Sequence, residues 1–326
     1  ALALVFIIVS SVMVYFNPNY DTLMFSSLAL GLGASMLSLF NVLFSETFSA
    51  KQAIMSVSIL SVAPLLAEFL VAPIQYIFTA TKPNDYPGMW LTSAVIGVVA
   101  LIFLFFVKDN KEDIRNFNVQ KFKQALTNPW FMSIALSGVI VSFIRFSTSG
   151  SNLISFVRME GIDMHPLMVA YIDVGYAVAQ LFGGVMVGLS LKKLIGVKKS
   201  LILGLAMSAI FTLICSFSTN SWLIFLITPL SGLGYGITYN ILLGLAMQPF
   251  EKDMREITMG IYQTFFAIGI FYGDKIYALL LQLLPQTLTG LELSQWVFML
   301  ITGLSVITIV FIQLVFNKKH QTFFED

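Results

Sequence analysis

Residues 221–247 read SWLIFLITPLSGLGYGITYNILLGLAM, and no charged side chain interrupts them. A helix that crosses the bilayer core needs about 20 mostly apolar residues, so this stretch alone suffices for one crossing. Lipid cannot satisfy open backbone N–H and C=O groups, so the segment must be helix rather than isolated strand. Outward from it the same pattern recurs. The chain is 57% hydrophobic and 11% charged, with a mean hydropathy of +0.87. Soluble domains carry roughly a quarter of their residues as charged side chains, so this chain has less than half the usual charge. Ten stretches qualify or nearly qualify as membrane helices: 1–16, 22–44, 52–78, 88–107, 130–157, 166–190, 200–217, 221–247, 257–284 and 295–316. Turn residues such as Asn17-Pro18-Asn19 and Lys82-Pro83-Asn84-Asp85 separate them. The alternating segments of a membrane β-barrel are absent. The expected fold is an all-α, polytopic bundle of ten transmembrane helices in two pseudo-repeated groups.

Several function classes fall away. Cys215 is the single cysteine, which excludes an internal disulfide framework or a thiolate metal site. His165 and His320 are the only histidines and lie near membrane edges, so no metal or nucleophilic site can be assembled from them. Gly232-x-Gly234-x-Gly236 follows no strand and has the wrong spacing for a dinucleotide fingerprint. There is no phosphate-binding loop, and the basic residues are dispersed rather than gathered for nucleic acid. Neither an enzyme, a cofactor nor a metal is expected. The run Ala1 to Phe16 has no initiator Met, basic start or cleavage pattern, so it reads as a membrane helix cut short rather than a signal peptide.

Lys and Arg mark the cytoplasmic side of a membrane protein. Fourteen of the 18 fall in alternate connections: Lys51; Lys108, Lys111, Arg115, Lys121 and Lys123; Lys192, Lys193, Lys198 and Lys199; Lys252 and Arg255; Lys318 and Lys319. Only Lys82 and Arg158 lie in connections on the other side, while Arg145 and Lys275 fall inside helices. The C-terminus is therefore expected in the cytoplasm, and the cell membrane is the expected location. The expected divisions are a four-helix bundle at 1–107, a cytoplasmic loop at 108–129, a six-helix bundle at 130–317 and a tail at 318–326.

The chain also repeats itself at an offset of 201 residues. Phe16-Asn17-Pro18-Asn19-Tyr20 falls on Phe217-Ser218-Thr219-Asn220-Ser221, and Leu30-Gly31-Leu32-Gly33 falls on Ser231-Gly232-Leu233-Gly234. After a three-residue shift, Lys51-x3-Met55 falls on Arg255-x3-Met259. Repeats of this kind mark secondary transporters, whose sites lie near mid-membrane between the repeats.

At Gly232-Leu-Gly234-Tyr-Gly236, Pro249-Phe-Glu251-Lys252-Asp253-Met-Arg255 and Met259-Gly260-Ile-Tyr262-Gln263-x3-Ala267-Ile-Gly269-x3-Gly273, the chain resembles the tenth and eleventh helices of major facilitator superfamily transporters. Gly184-x3-Gly188, followed by Lys192, Lys193, Gly196, Lys198 and Lys199, resembles that family's loop between its eighth and ninth helices. It departs from the pattern where Asp274 replaces an expected proline and where that loop lacks its usual acidic residue. The resemblance implies twelve helices, of which this chain would hold the third to the twelfth. It also implies a seventh helix that lines a central cavity, and this is 130–157.

Ionisable groups at mid-membrane cost about 2.5–3.5 kcal/mol on insertion scales. Glu68, Arg145, Asp173, Asp274 and Lys275 lie roughly 10–18 Å from helix ends at a rise of about 1.5 Å per residue. Ser142, Thr148, Ser149 and Asn152 stand at helical spacing from Arg145, as one polar face. Arg145 either holds an anionic substrate group or forms a salt bridge to Asp173 or Glu68. Those two carboxyls either carry the coupling proton or serve structure alone. Asp274 and Lys275 suit a packing or gating bond. Thr148, Ser149, Asn152, Tyr235 and Tyr239 complete the candidate substrate site, and the glycine pairs Gly232/Gly236 and Gly269/Gly273 suit close helix packing. The expected function is secondary active transport by alternating access, for uptake or efflux, with a small anionic or amphiphilic molecule, protons and the lipid bilayer as partners. The alternative is a non-transporting sensor or scaffold with a transporter fold.

Overall fold

The computed structural model describes residues 2–45, 86–106, 119–248, 250, 254–283 and 287–316, with scattered positions between 59 and 74. The predicted helix 52–78 lies largely outside these, and Glu68 and Lys51 do so entirely. The described chain is helical: α1 (Leu2–Phe16), α2 (Tyr20–Ser45), α3 (Tyr86–Leu104), α4 (Val119–Thr127), α5 (Pro129–Ser147), α6 (Ser151–Val157), α7 (Pro166–Met186), α8 (Val197–Phe217), α9 (Ser221–Met247), α10 (Arg255–Asp274), α11 (Ile276–Leu283) and α12 (Gly290–Val315). Among the described residues, six helical stretches are long and apolar enough to cross a membrane, with α5 and α6 together forming one of them. α1 is apolar but shorter.

Local chemistry sets the helix starts. Asn128 accepts from the Phe131 N–H at 3.0 Å with Pro129 in the first turn, and Asn220 accepts from Leu223 N–H at 3.1 Å. His165 takes the same role before Pro166, accepting from Leu167 N–H at 3.3 Å. Thr289 and Glu292 form a reciprocal capping box on α12. Three predicted spans differ in detail. The segment 130–157 breaks at 148–150, where Gly150 has φ +57°. The segment 166–190 runs on through a π-turn at Val187–Leu191 and a last turn at Lys192–Ile195, stopping at Gly196 with φ +81°. The segment 257–284 is interrupted at Lys275.

The chain divides into two compact units, residues 1–43 with 70–119 and residues 44–69 with 120–326. The internal contacts of the two units correspond. In the first, a Cβ added to Gly33 of α2 would meet the Ile7 side chain of α1 at 2.9 Å and the Ala3 carbonyl at 3.7 Å. In the second, a Cβ on Gly234 of α9 would meet the Gly204 carbonyl of α8 and Ser208 Oγ at 2.9 Å. Ala3, Ile7 and Gly33 fall on Gly204, Ser208 and Gly234 at the one sequence offset of 201. Ser11 Oγ of α1 reaches Ser93 Oγ of α3 at 3.5 Å. Its repeat partner Thr212 of α8 bonds Thr302 of α12 at 2.7 Å. The repeat is thus a repeat of packing, not only of letters.

The second unit holds the described core, where Phe156, Phe211 and Phe298 meet around Cys215 and Ile172. Two helix pairs are drawn together by glycines. On α9, a Cβ at Gly232 or Gly236 would strike the carbonyls of Tyr176 and Gln180 on α7. On α10, one at Gly269 would strike Ser142 Oγ and the Val139 carbonyl, and one at Gly273 the Phe143 carbonyl at 2.7 Å, all on α5. A backbone carbonyl cannot swing aside as a side chain can. Gly236→Ala should therefore cost about 3 kcal/mol, the upper end for overpacking. Gly260→Ala, with nothing within 4 Å of the new Cβ, should be neutral or stabilising by up to about 1 kcal/mol. Thermal unfolding in detergent compares the two directly, and equal melting temperatures would disprove the tight α7–α9 contact.

Candidate functional site

Arg145 sits near the end of α5, one turn before the break. The last carbonyls of α5 lose their helical N–H donors there, and neighbouring side chains replace them. Thr148 Oγ1 donates to Ile144 O at 2.7 Å, Ser149 Oγ to Arg145 O, and Asn152 Nδ2 to Phe146 O at 2.9 Å. Ser142 Oγ donates across to Phe266 O of α10 at 2.8 Å. The single polar face expected on one unbroken helix is therefore not formed. Its hydroxyls seal a helix end and a helix contact, because Gly150 turns the chain out of the helix.

Arg145 itself enters an aromatic enclosure. Its guanidinium carbon lies 3.9 Å from the Tyr176 ring centroid of α7, 5.6 Å from Tyr235 of α9 and 5.4 Å from Phe146. A guanidinium facing rings at these distances gains cation–π attraction, about 2 kcal/mol where it is desolvated. That gain offsets only part of the cost of the charge. Nη1 is buried and has no hydrogen-bond partner among the described residues. Asp173, one turn before Tyr176 on α7, lies within electrostatic reach of Arg145. The two form no ion pair among the described residues.

Further tyrosines extend the enclosure. Tyr235 and Tyr239 stack at 5.6 Å, and Tyr239 meets Phe266 of α10 at 5.3 Å. Tyr262, fully buried on α10, covers Gly138 of α5, where an added Cβ would meet the ring at 2.8 Å. Beside Arg145 is a cavity of about 10 Å³, bounded by apolar Val141, Ile144 and Leu205 and by the hydroxyl residues Ser208, Ser231 and Thr238. That is room for about one water molecule.

The arrangement unites Arg145 of α5, Asp173 of α7 and Tyr235 and Tyr239 of α9 in one neighbourhood. It separates Asp274 and Lys275 from them. Both are exposed where α10 ends; Asp274 accepts from Ser151 Oγ at 3.4 Å, tying α10 to α6, and Lys275 lies over the Phe271 ring at 5.1 Å. Tyr176, Ser208 and Tyr262 belong to the site without having been named as site residues from sequence, Tyr262 having stood there only as part of the family motif. The repeat carried a usable signal for some. At the offset of 201, Ser208, Ser231, Tyr235 and Thr238 stand where the first copy has Ile7, Leu30, Ala34 and Leu37. Polar side chains appear in one copy only. No cluster of His, Cys, Asp and Glu among the described residues could hold a metal ion.

A sequence profile described as Major Facilitator Superfamily matches residues 1–273 and 139–322. No curated protein sequence matches the chain. Among solved structures, the human organic anion transporter MFSD10 (TETRAN) superposes with a TM-score of 0.73 at 14% identity, covering 96% of this chain and 76% of that one. A bacterial homologue of the iron transporter ferroportin, in its outward-facing state, gives a TM-score of 0.65 at 16% identity over 96% and 81%. The Escherichia coli fucose:proton symporter FucP gives 0.66 at 12% identity over 95% and 82%.

Proposed function

Since this chain belongs to the major facilitator superfamily, a family of membrane transporters rather than enzymes, we propose that it is a secondary active transporter for a small organic anion, working by alternating access. The observation that carries this reading is Arg145, a cation held against Tyr176 with no ion-pair partner among the described residues. Removing a cation's partner inside a protein costs about 3–5 kcal/mol, so a charge kept open this way is suited to a partner that comes and goes. Arg145 is the anion anchor, and Tyr235 and Tyr239 provide a flat aromatic wall for the rest of the substrate. Thr148 and Ser149 have their hydroxyl protons engaged by carbonyls, so they contribute acceptor oxygens at most, while Asn152 has one amide N–H engaged by Phe146 O and keeps a second donor. The human organic anion transporter of the same fold is consistent with the substrate class.

Proton coupling is assigned to Asp173, with Glu68 as the second candidate. A protonated Asp173 leaves the field of Arg145 to the substrate, while an ionised Asp173 competes for it. The fucose:proton symporter is a precedent within the fold. Asp274 and Lys275 serve packing or gating where α10 meets α6. The protein is placed in the cell membrane with a cytoplasmic C-terminus, on the distribution of its Lys and Arg residues.

Reconstitution into liposomes tests the reading. Labelled organic carboxylates should enter in response to a pH gradient, and fucose or a neutral amphiphile of equal size should not. Flux of the neutral compound alone would refute the anion assignment. Absence of flux for every compound, from protein that melts cooperatively, would favour a non-transporting sensor or scaffold.

A further inference from the structure

At one end of the second unit, lysines and exposed apolar side chains stand together. Trp130 in the first turn of α5 packs on Phe316, just past α12, with ring centroids 4.7 Å apart. Lys198 at the start of α8 donates to the Phe316 and Gln313 carbonyls at 2.8 and 3.0 Å. These contacts gather the start of α5, the start of α8 and the end of α12. The short helix α4 leads directly into α5, and the Asn128 N–H closes the junction on Ala125 O at 3.1 Å.

The side chains of α4, VQKFKQALT, divide by direction. At helical spacing Val119, Phe122 and Leu126 share one face, and they are exposed by 67, 36 and 37%. Ala125, on one side of that stripe, is fully buried, while Lys123, on the other side, is exposed. The helix thus rests on the protein along one edge and turns an apolar stripe outward beside a cation. Nine residues are too few to cross a bilayer, yet α5 follows at once and with α6 is long and apolar enough to cross. This places α4 at the level of the membrane surface. In the turn that precedes α8, exposed Lys193 and Lys199 flank Leu194 and Ile195, which are themselves exposed. Water gives no reward for exposing leucine and isoleucine between lysines. A leaflet with acidic headgroups accommodates both, the apolar groups at the acyl boundary and the cations at the phosphates.

We propose that this end of the protein is a docking surface for acidic phospholipid in the adjoining leaflet. Val119, Phe122 and Leu126 of α4 enter the acyl boundary, and Lys123, Lys193 and Lys199 hold the headgroup phosphates. Lys198 is engaged by the α12 carbonyls and serves to fix the surface. The proposal goes beyond the transport reading and does not depend on it, because a leaflet can hold a protein that moves nothing.

The test uses the whole chain in phosphatidylcholine nanodiscs with increasing phosphatidylglycerol. The melting temperature should rise saturably with phosphatidylglycerol, should not respond to added inorganic phosphate, and should respond less at high salt. Lys123→Gln should raise the half-saturating fraction about fivefold, the scale of one lysine at an acidic surface. The Lys123→Gln, Lys193→Gln, Lys199→Gln triple variant should lose the response and melt as wild type does in phosphatidylcholine alone. A nitroxide at Leu126→Cys should meet oxygen more readily than a water-soluble nickel chelate, and one at Gln124→Cys, across α4, should do the reverse. Cys215 is buried and takes no label. A phosphatidylglycerol response unchanged in the triple variant, an equal response to inorganic phosphate, or a label at position 126 that meets nickel first would overturn the proposal. So would a label at 126 shielded from both reagents, which would mean that protein covers the stripe. Failure of organic-anion flux with the lipid response intact would reject the transport reading alone.

Discussion

Arg145→Ala is expected to lower the uptake of an organic anion into proteoliposomes by about 100-fold or more. Losing one partner of a buried, hydrogen-bonded charge pair costs about 2–5 kcal/mol, and each 1.4 kcal/mol is a factor of ten. The guanidinium also stacks on Tyr176 at 3.9 Å, so substitution removes both the charge and the face that orients it. Arg145→Lys separates these contributions. Lysine keeps the charge but loses the planar fork and the stacking, so about one-tenth of wild-type flux should remain. Tyr176→Leu should mimic the lysine variant, since the cation stays while its aromatic face is lost. A neutral wild-type melting curve for Arg145→Ala would show that the loss is one of binding. Undiminished transport by a folded Arg145→Ala protein would remove the anchor from the mechanism.

Asp173→Asn should uncouple transport from the pH gradient while leaving exchange intact. One pH unit stores about 1.4 kcal/mol per proton, so a carrier moving one proton with each anion accumulates its substrate about tenfold on the alkaline side. Proton antiport, as in efflux, accumulates it on the acidic side, so the direction separates uptake from export. An amide cannot carry the proton, and the accumulation ratio should fall to about one at undiminished exchange. Glu68→Gln should act likewise if that carboxyl shares the proton, and should leave the ratio unchanged if Asp173 carries it alone. Full accumulation by the Asp173→Asn, Glu68→Gln double variant would place coupling elsewhere or exclude it.

The gross fold was legible because the bilayer writes a strong and redundant signal. Runs without charge such as 221–247 fix a helix from composition alone, and the glycine register Gly33 to Gly234 fixed the repeat before any contact was known. The breaks were not legible. Within 130–157 the apolar pattern runs through Ser147, Thr148 and Ser149, and only the positive φ of Gly150 shows that their hydroxyls close a helix end. Reading those hydroxyls as a polar face required an unbroken helix. Arg145 could be singled out because a mid-membrane cation is costly. Its aromatic partner could not, because Tyr176 on α7 looks like any interfacial tyrosine until the glycines at 232 and 236 bring α9 against α7. Ser208 lay on α8 far from that helix's only charges, Lys198 and Lys199 at its start, although its repeat partner Ile7 marked it as a polar exception.

Counterflow in proteoliposomes tests the central claim most directly. Vesicles loaded with an unlabelled organic carboxylate are diluted into a trace of the labelled compound, with no gradient of pH or potential. An alternating-access carrier with Arg145 as its anion anchor predicts a transient overshoot of label inside the vesicles, absent in Arg145→Ala and preserved in Asp173→Asn. Label that equilibrates at the same rate from loaded and empty vesicles, or an overshoot that survives Arg145→Ala, would contradict it.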